Sequence, residues 1–263
     1  MLAVIRGAGD IATGIALRLY RAGIKIVMTD LPQPTSIRRT VCFSEAIRHG
    51  TAVVEGVEAC LAENAAEARK IAESGRIAVL VDPEAACAKT LQPDALVDAI
   101  LAKKNLGTCI TDAPVVVAVG PGFTAGVDCH AAVETMRGHT LGRVLYEGSP
   151  LPNTGVPGVI AGYAAERVLR APADGVFEPK KEIGAQVKKG EVAAVVSGKP
   201  MLCKIDGCLR GLMQAGAVVF EGMKCGDVDP RGIPDNCTTA SDKAIAVGGG
   251  VLEAVLHFTH ALD

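Results

Sequence analysis

The run Gly7-Ala8-Gly9-Asp10-Ile11-Ala12 follows a short apolar stretch and opens a helical pattern. This is the G-x-G-x-x-G/A arrangement, and each position has a physical reason. Gly7 permits a tight turn, Gly9 lets a phosphate approach the backbone, and Ala12 lets helix and strand pack closely. The amides at a helix start attract an anion. Asp30 follows at about the 20-residue spacing at which a carboxylate accepts from ribose hydroxyls. Asp10 departs from the pattern, because it sets negative charge beside the expected phosphates. Gly7, Gly9, Asp10, Ala12 and Asp30 form the first predicted cofactor site.

The run from Gly120 to His130 offers a second one. A glycine-rich loop after an apolar strand, leading into a predicted helix, can cradle an anion through its amides. Gly120, Gly122, Thr124, Gly126 and Asp128 are its predicted binding residues, and Asp128 is the predicted cap of a helix running through Met136. Cys129 and His130 then fall in the first helical turn. A helix start lowers a thiol pKa, which makes Cys129 a candidate thiolate nucleophile. His130 can donate, titrate or ligate. These two are the candidate catalytic residues. Against them stand a buried apolar cysteine and a satisfied polar histidine.

Other cysteine and lysine patterns are weaker. Cys203, Cys208, Cys225 and Cys237 lack the paired C-x2–4-C knuckles of zinc sites, so no metal is assigned. Lys199 sits in a turn between two β half-repeats, where carrier domains attach biotin or lipoate, but the flanking residues of an attachment site are missing. It reads as an unmodified turn lysine.

The elements that must hold these residues are legible in part. Leu2 to Ile5 reads as a strand, Asp10 to Gly23 as a helix and Ile24 to Met28 as a second strand, which makes one βαβ unit. Asn64 to Ser74 and Pro93 to Lys104 read as helices, and Ile77 to Val81 and Val115 to Val119 as buried strands. Thr140 to Tyr146 is the last expected strand. From Ala171 to Asp229 short β-rich pieces alternate with glycine turns. A weak repeat of G-x-x-V, in Gly184–Val187 and Gly216–Val219, recurs there about 32 residues apart. A helix is expected after Ser241-Asp242, and Gly248-Gly249-Gly250 inside it implies either close approach of another backbone or a helix start at Gly250. The predicted fold class is α/β: a Rossmann-like, doubly wound, mostly parallel sheet over 1–165, a small all-β module over 166–230, and a C-terminal loop and helix over 231–263 that packs back on the core.

Composition narrows the function. The 263 residues carry a net charge of −2, no Trp, three Tyr and five Phe. Neither a basic field nor stacking aromatics are present for nucleic acid. Nine cysteines without C-x-x-C spacing fit reduced thiols in a cytoplasmic protein. Ala113 to Val127, an uncharged stretch of 15 residues, is shorter than the ~20 a membrane span requires, so no membrane partner is expected.

Several runs together carry a family resemblance. They are Gly120-Pro121-Gly122-Phe123-Thr124-Ala125-Gly126-Val127-Asp128-Cys129-His130, Glu134-Thr135-Met136-Arg137-Gly138-His139, Leu141-Gly142-Arg143-Val144, Asn153-Thr154-Gly155-Val156-Pro157-Gly158, Gly226-Asp227-Val228-Asp229-Pro230-Arg231 and Ser241-Asp242-Lys243-Ala244. The chain resembles the selenium-dependent molybdenum hydroxylase system proteins, the YqeB family, over essentially its whole length. Its N-terminal part is similar to xanthine dehydrogenase maturation proteins, and its β module resembles the barrel-sandwich hybrid of biotinyl and lipoyl domains. The resemblance implies an accessory or maturation factor that binds molybdenum cofactor, as molybdopterin or its dinucleotide form, and assists selenium or sulfur placement. The implied partners are a molybdenum hydroxylase apoenzyme and a selenium or sulfur donor. It carries over Asp128, Cys129, His130, Glu134, Arg137, His139 and Asn153 as motif positions without established roles. Two other readings stand beside it: an NAD(P)-dependent oxidoreductase, and a non-catalytic scaffold or carrier. Aliphatic sandwich modules often associate, so a homo-oligomer is also within the expectation.

Overall fold

A computed structural model describes residues 1–261. The chain divides into two compact units, one of Met1–Pro34, Cys42–Thr154 and Ala240–Asp263, the other of Thr35–Val41 and Gly155–Thr239. The first unit's main run thus extends to 154, the helix expected to pack back on the core belongs to that unit, and residues 231–239 belong to the second. Leu262 and Asp263, at the end of the expected 231–263 segment, lie outside the described residues.

The first unit is a nine-stranded sheet with order β3-β4-β5-β2-β1-β6-β7-β8-β9. Its strands are β1 Leu2–Arg6, β2 Lys25–Asp30, β3 Thr51–Val54, β4 Val57–Ala62, β5 Ile77–Val81, β6 Ala95–Asp98, β7 Val115–Val119, β8 Ala131–Val133 and β9 Val144–Leu145. All neighbours pair in parallel except the edge strands β3 and β9. The helices are α1 Asp10–Arg21, the short α2 Ala46–His49, α3 Ala65–Glu73, the short α4 Ala88–Leu91 and α5 Asp242–Thr259. The run β5-β2-β1-β6-β7 repeats the 3-2-1-4-5 order of a doubly wound sheet, which reverses between β1 and β6. The step from β1 to β2 and the step from β4 to β5 run in opposite directions across the sheet. Right-handed crossovers therefore put α1 and α3 on opposite faces.

Local chemistry explains what was legible. Asn64 caps α3, its side chain accepting from the Glu67 amide at 3.0 Å, and Ser241 caps α5 in the same way. Two expected helices are strands instead. Residues 93–104 contain β6, whose four residues are all buried, and a strand covered on both faces has no amphipathic period to read. The span Asp128–Met136 contains β8, paired in parallel with β7. Of Thr140–Tyr146 only Val144–Leu145 is strand.

Gly248–Gly250 lie inside α5, which starts at Asp242 rather than Gly250. Close approach is the reason. A Cβ on Gly248 would stand 2.8 Å from the Gly14 carbonyl oxygen of α1, and one on Gly250 would stand 2.2 Å from the Gly142 carbonyl oxygen. Gly14 itself abuts Ala244.

The second unit holds two four-stranded sheets, ordered β10-β17-β15-β12 and β14-β13-β11-β16. The strands are β10 Val168–Arg170, β11 Gly175–Pro179, β12 Gln186–Val187, β13 Val192–Val196, β14 Lys199–Leu202, β15 Gly207–Leu212, β16 Val218–Val219 and β17 Lys224–Asp229, all antiparallel pairs. The two sequence half-repeats end in β12 and β16, an edge strand of each sheet. Leu169, Phe177, Leu209 and Val228 are core residues, each fully buried. Asp227 is buried between Arg167 and Arg210, the Arg210 Nε donating at 2.9 Å. Burial pushes the Asp229 carboxyl up, but hydrogen bonds from Arg231 and the charge of Arg210 hold it below the usual carboxylate range.

Three substitutions test this packing. Gly249 has nothing within 4 Å of an added Cβ, so Gly249→Ala should raise Tm through helix propensity, worth about 1 kcal/mol. Gly250→Ala should lower Tm by overpacking, at a cost of about 1–3 kcal/mol or more. In the second unit Asp227→Asn should shift the urea midpoint down, because it removes the carboxylate charge that two buried guanidinium groups share, while Arg210 keeps Asp229 and Arg167 keeps the Gly158 carbonyl.

Candidate functional site

The carboxyl ends of β1 and β6 meet at the point where strand order reverses, the usual ligand crevice of such sheets. Gly7 follows β1 at φ +107°, a conformation that side chains disfavour. A Cβ there would stand 3.0 Å from the Ala99 carbonyl oxygen. The Gly7 amide donates to the Thr29 carbonyl at 2.7 Å, and the Ala8 amide donates to Asp30 Oδ2 at 3.0 Å. Asp30 Oδ1 accepts from the Leu31 amide at 2.8 Å. Burial raises the Asp30 carboxyl above its usual range, and these two amides only partly offset it. Each oxygen retains a second lone pair for a hydroxyl donor.

Gly9 is the N-cap of α1 and gives no side-chain cap to the first-turn amides. Ala12 is buried, as close helix–strand packing requires. The neighbouring segment locks the turn from behind: the Ser44 amide donates to the Ala8 carbonyl at 3.0 Å and the Phe43 amide to Thr13 Oγ1 at 2.9 Å. Gly7, Gly9, Ala12 and Asp30 are thus brought together, with Asp10 opening the helix beside them. The residues fit one phosphate group at the start of α1 with a ribose-like hydroxyl near Asp30. Thr29, the register partner of Arg6, is fully buried, and its Oγ1 has no hydrogen-bond partner among the described residues.

The sequence reading missed the group that fixes this edge. The Arg6 guanidinium is buried and donates to Asp98 Oδ2 at 3.3 Å, Thr108 Oγ1 at 3.0 Å, the Pro83 carbonyl at 2.9 Å and the Leu106 carbonyl at 3.2 Å. Thr108 Oγ1 also donates to Asp98 Oδ2, at 2.6 Å. The available signal was a single charge at the end of a buried strand, directly before a glycine turn. Beside this cluster lies a cavity of about 300 Å³, lined by Arg6, Ala85, Lys89, Leu96, Thr108 and Asp112 among others.

The second loop behaves differently. The Gly120 amide donates to the Val133 carbonyl, Ala125 to Gly148, Gly126 to Cys129, and Val127 and Asp128 to Thr124. The Thr124 amide donates to Asp128 Oδ2 at 2.7 Å. Gly122, at φ +109°, presses against Lys104, whose Cα would be 2.5 Å from an added Cβ. The amides of Gly120, Thr124, Gly126 and Asp128, expected in an anion cradle with Gly122, are thus spent on acceptors of the protein itself.

The argument for a reactive Cys129 also falls, because no helix starts there. Cys129 is fully buried, and burial pushes its thiol up to about 12. His130 Nδ1 accepts from the Val116 amide at 2.9 Å, and its ring packs on Phe258 at 5.5 Å between centroids. Glu134 is buried, its two oxygens accepting from the Met136 and Leu151 amides at 2.6 and 2.8 Å. Arg137 makes a two-point contact with Asp242 at 2.7 Å. His139 and Asn153 are exposed.

The motif positions therefore serve mostly as internal ties, which leaves the β1–α1 turn as the candidate site. Among the described residues no helix is long and apolar enough to cross a membrane.

No family model matches the chain. The uncharacterized protein YqeB of Escherichia coli (strain K12) is 52% identical over 259 residues, covering 98% of this chain and 48% of YqeB. That match supports the YqeB family. The chain spans about half the length of this relative, so what the rest of YqeB contributes is outside it. Among solved structures, an aspartoacylase family protein of Mesorhizobium loti has 12% identity and a TM-score of 0.28, covering 86% of this chain and 84% of its own. A succinylglutamate desuccinylase/aspartoacylase of Rhodobacter sphaeroides has 16% identity and a TM-score of 0.26, with the same coverage. The ectoine utilization protein EutE (DoeB) of Ruegeria pomeroyi has 19% identity and a TM-score of 0.22, covering 32% of this chain and 27% of its own. Scores this low carry no argument about this chain.

Thiol reactivity tests the corrected placement of Cys129. A pKa near 12 against the ordinary 9.0 means a thiolate fraction smaller by about a thousandfold. Iodoacetamide at pH 8 should label exposed Cys109 in the folded protein and leave Cys129 unlabelled until denaturant is added. Peptide mass mapping reads the result, and prompt labelling of Cys129 in the folded chain would contradict the structure.

Proposed function

We propose that this chain is an accessory factor that holds a phosphate-bearing nucleotide, or the nucleotide-linked form of molybdenum cofactor, at the start of α1, and serves selenium-dependent molybdenum hydroxylases. The observation that carries the reading is the turn Gly7-Ala8-Gly9 at the β1–β6 reversal, with a helix start that has no side-chain cap. The link to molybdenum hydroxylases rests on the resemblance of the sequence motifs.

In this reading the first-turn amides of α1 receive the phosphate, and the lack of a side chain on Gly9 lets it come close. Asp30 accepts from a ribose hydroxyl through its remaining lone pairs while its amide bonds fix its orientation. The buried Arg6–Asp98–Thr108 cluster holds the strand ends still under the ligand. A bound molybdenum centre would supply the position where a terminal sulfur or selenium is exchanged. Cys129 has no part in that exchange, being buried and protonated. The chain in this account binds and presents, and the chalcogen comes from a separate donor.

Calorimetric titration tests it with molybdopterin cytosine dinucleotide, ADP and NADH as probes. The first two should bind. Gly9→Ala should weaken both by about tenfold or more, which is 1.4 kcal/mol, and should keep the fold, since Gly9 has an ordinary extended backbone at φ −71°. Binding of NADH alone would favour the oxidoreductase reading. Failure of all three to bind at millimolar concentration would remove the proposal.

A further inference from the structure

In the second unit the thiols of Cys208 and Cys237 face each other, Sγ to Sγ 3.5 Å apart in a thiol–thiol hydrogen bond. Both residues are buried. They come from unlike elements: Cys208 lies in β15, and Cys237 ends a 3-10 turn, Pro234–Cys237. In sequence they are 29 positions apart.

The turn that carries Cys237 is also the attachment point of a chain segment from far away in sequence. The strap Thr35–Val41 belongs to this unit. Thr40 Oγ1 donates to the Cys237 carbonyl, and the Arg38 guanidinium donates to the carbonyls of Asn236 and Thr239 at 3.0 and 3.2 Å. On its other side the strap is tied to β15. The Leu212 amide donates to the Ile37 carbonyl at 2.7 Å, and Arg39 Nε donates to the Leu212 carbonyl at 2.9 Å. Strap, β15 and turn therefore form a ring of contacts in which the paired thiols are the link between turn and β15 that a covalent bond could close.

We propose that Cys208 and Cys237 are a modification site, a reversible intramolecular disulfide closed by a low-molecular-mass disulfide and reopened by a thiol reductant, which clasps the 234–237 turn to β15. The exchange balances in two steps. One cysteine thiolate attacks the small disulfide, breaks its S–S bond, releases one small thiolate and leaves a mixed disulfide on the protein. The second cysteine thiolate attacks the protein sulfur of that mixed disulfide and releases the second small thiolate. The protein loses two S–H bonds and gains one S–S bond, and the small disulfide takes up two electrons and two protons to become two thiols.

The closed fold resists this chemistry. Burial, with the Cys237 thiol as the next cause, pushes Cys208 up to about 12. Reaction therefore proceeds through local opening of the turn. That turn is short, and Asp235 on it and Thr238 just after it are exposed, so opening it locally costs less than unfolding the whole unit. A crosslink restricts the opened ensemble, so closure of the disulfide disfavours the opening that allowed it.

The test uses the full chain in buffers of varied oxidised and reduced glutathione, quenched by alkylation under denaturing conditions and mapped by mass spectrometry without reduction. The expected product is a Cys208–Cys237 crosslinked peptide, lighter by two hydrogen atoms and reversed by dithiothreitol. Amide exchange at Asn236 and Thr238 should slow by about tenfold or more in the oxidised chain. Cys208→Ser should abolish the crosslink, with Cys237 then recovered as a glutathione adduct or a free thiol. The proposal is overturned if Cys109 becomes fully glutathionylated while Cys208 and Cys237 are both still recovered as alkylated thiols. Pairing of either with a third cysteine, or a crosslink that leaves exchange at Asn236 and Thr238 unchanged, overturns it as well.

Discussion

The Arg6–Asp98 ion pair lies at the ends of two adjacent strands, β1 and β6, where the strand order of the parallel sheet reverses. Taking two charges out of water costs several kcal/mol per ion, and the pair persists only if surrounding groups satisfy the remaining donors and acceptors. The Pro83 and Leu106 carbonyls and the Thr108 hydroxyl do so. One guanidinium therefore fixes the exit of β5, the end of β6 and the loop beyond it. Gly7 comes next in the chain, and its placement against Ala99, Thr29 and Asp30 inherits that rigidity. The helix start at Gly9, which carries no side-chain cap, follows directly from this fastened edge.

Two glycine-rich loops of similar composition end in opposite physical states. At Gly7–Gly9 the first two amides are used to hold the turn, and the helix start beyond them keeps its cap position without a side chain. At Gly120–Gly126 the amides turn inward to neighbouring carbonyls and to Asp128, and the backbone packs against Lys104. Glycine content reports that the backbone must bend or approach closely. Where the amides point depends on the following element, and a strand after the second loop leaves no helix start to attract an anion.

That difference also marks the limit of what was legible. The βαβ unit could be read because period and composition change together at Gly7 and Gly23. Helix α3 could be read because Asn64 and Ser74 bound an Ala- and Glu-rich stretch. Strand β6 was hidden by burial on both faces and by Pro93, which resembles a helix start. Strand β8 was hidden because Asp128-Cys129-His130 has the composition of a capped first turn, whereas Asp128 caps its own loop at Thr124. The Gly248–Gly250 run signalled a close contact, but its partners, Gly14 and Gly142, are more than a hundred positions away and have no local signature. The same holds for the strap 35–41, whose ties to Leu212 and to the 234–239 turn are long-range, and for Arg6, which in sequence is only a charge ending an apolar run.

The 52% identity to YqeB over 98% of this chain supports a shared framework, while about half of YqeB lies beyond it. The central claim concerns the helix start: a phosphate-bearing ligand docks on the amides at the beginning of α1. The most direct measurement is the change in backbone amide NMR shifts of the isotopically labelled chain on addition of ADP or molybdopterin cytosine dinucleotide. The account predicts the largest changes at Gly9, Ile11 and Ala12, with smaller ones at Asp30 and Leu31. Changes concentrated at Thr124–Asp128, or none at the start of α1 under saturating ligand, would contradict it.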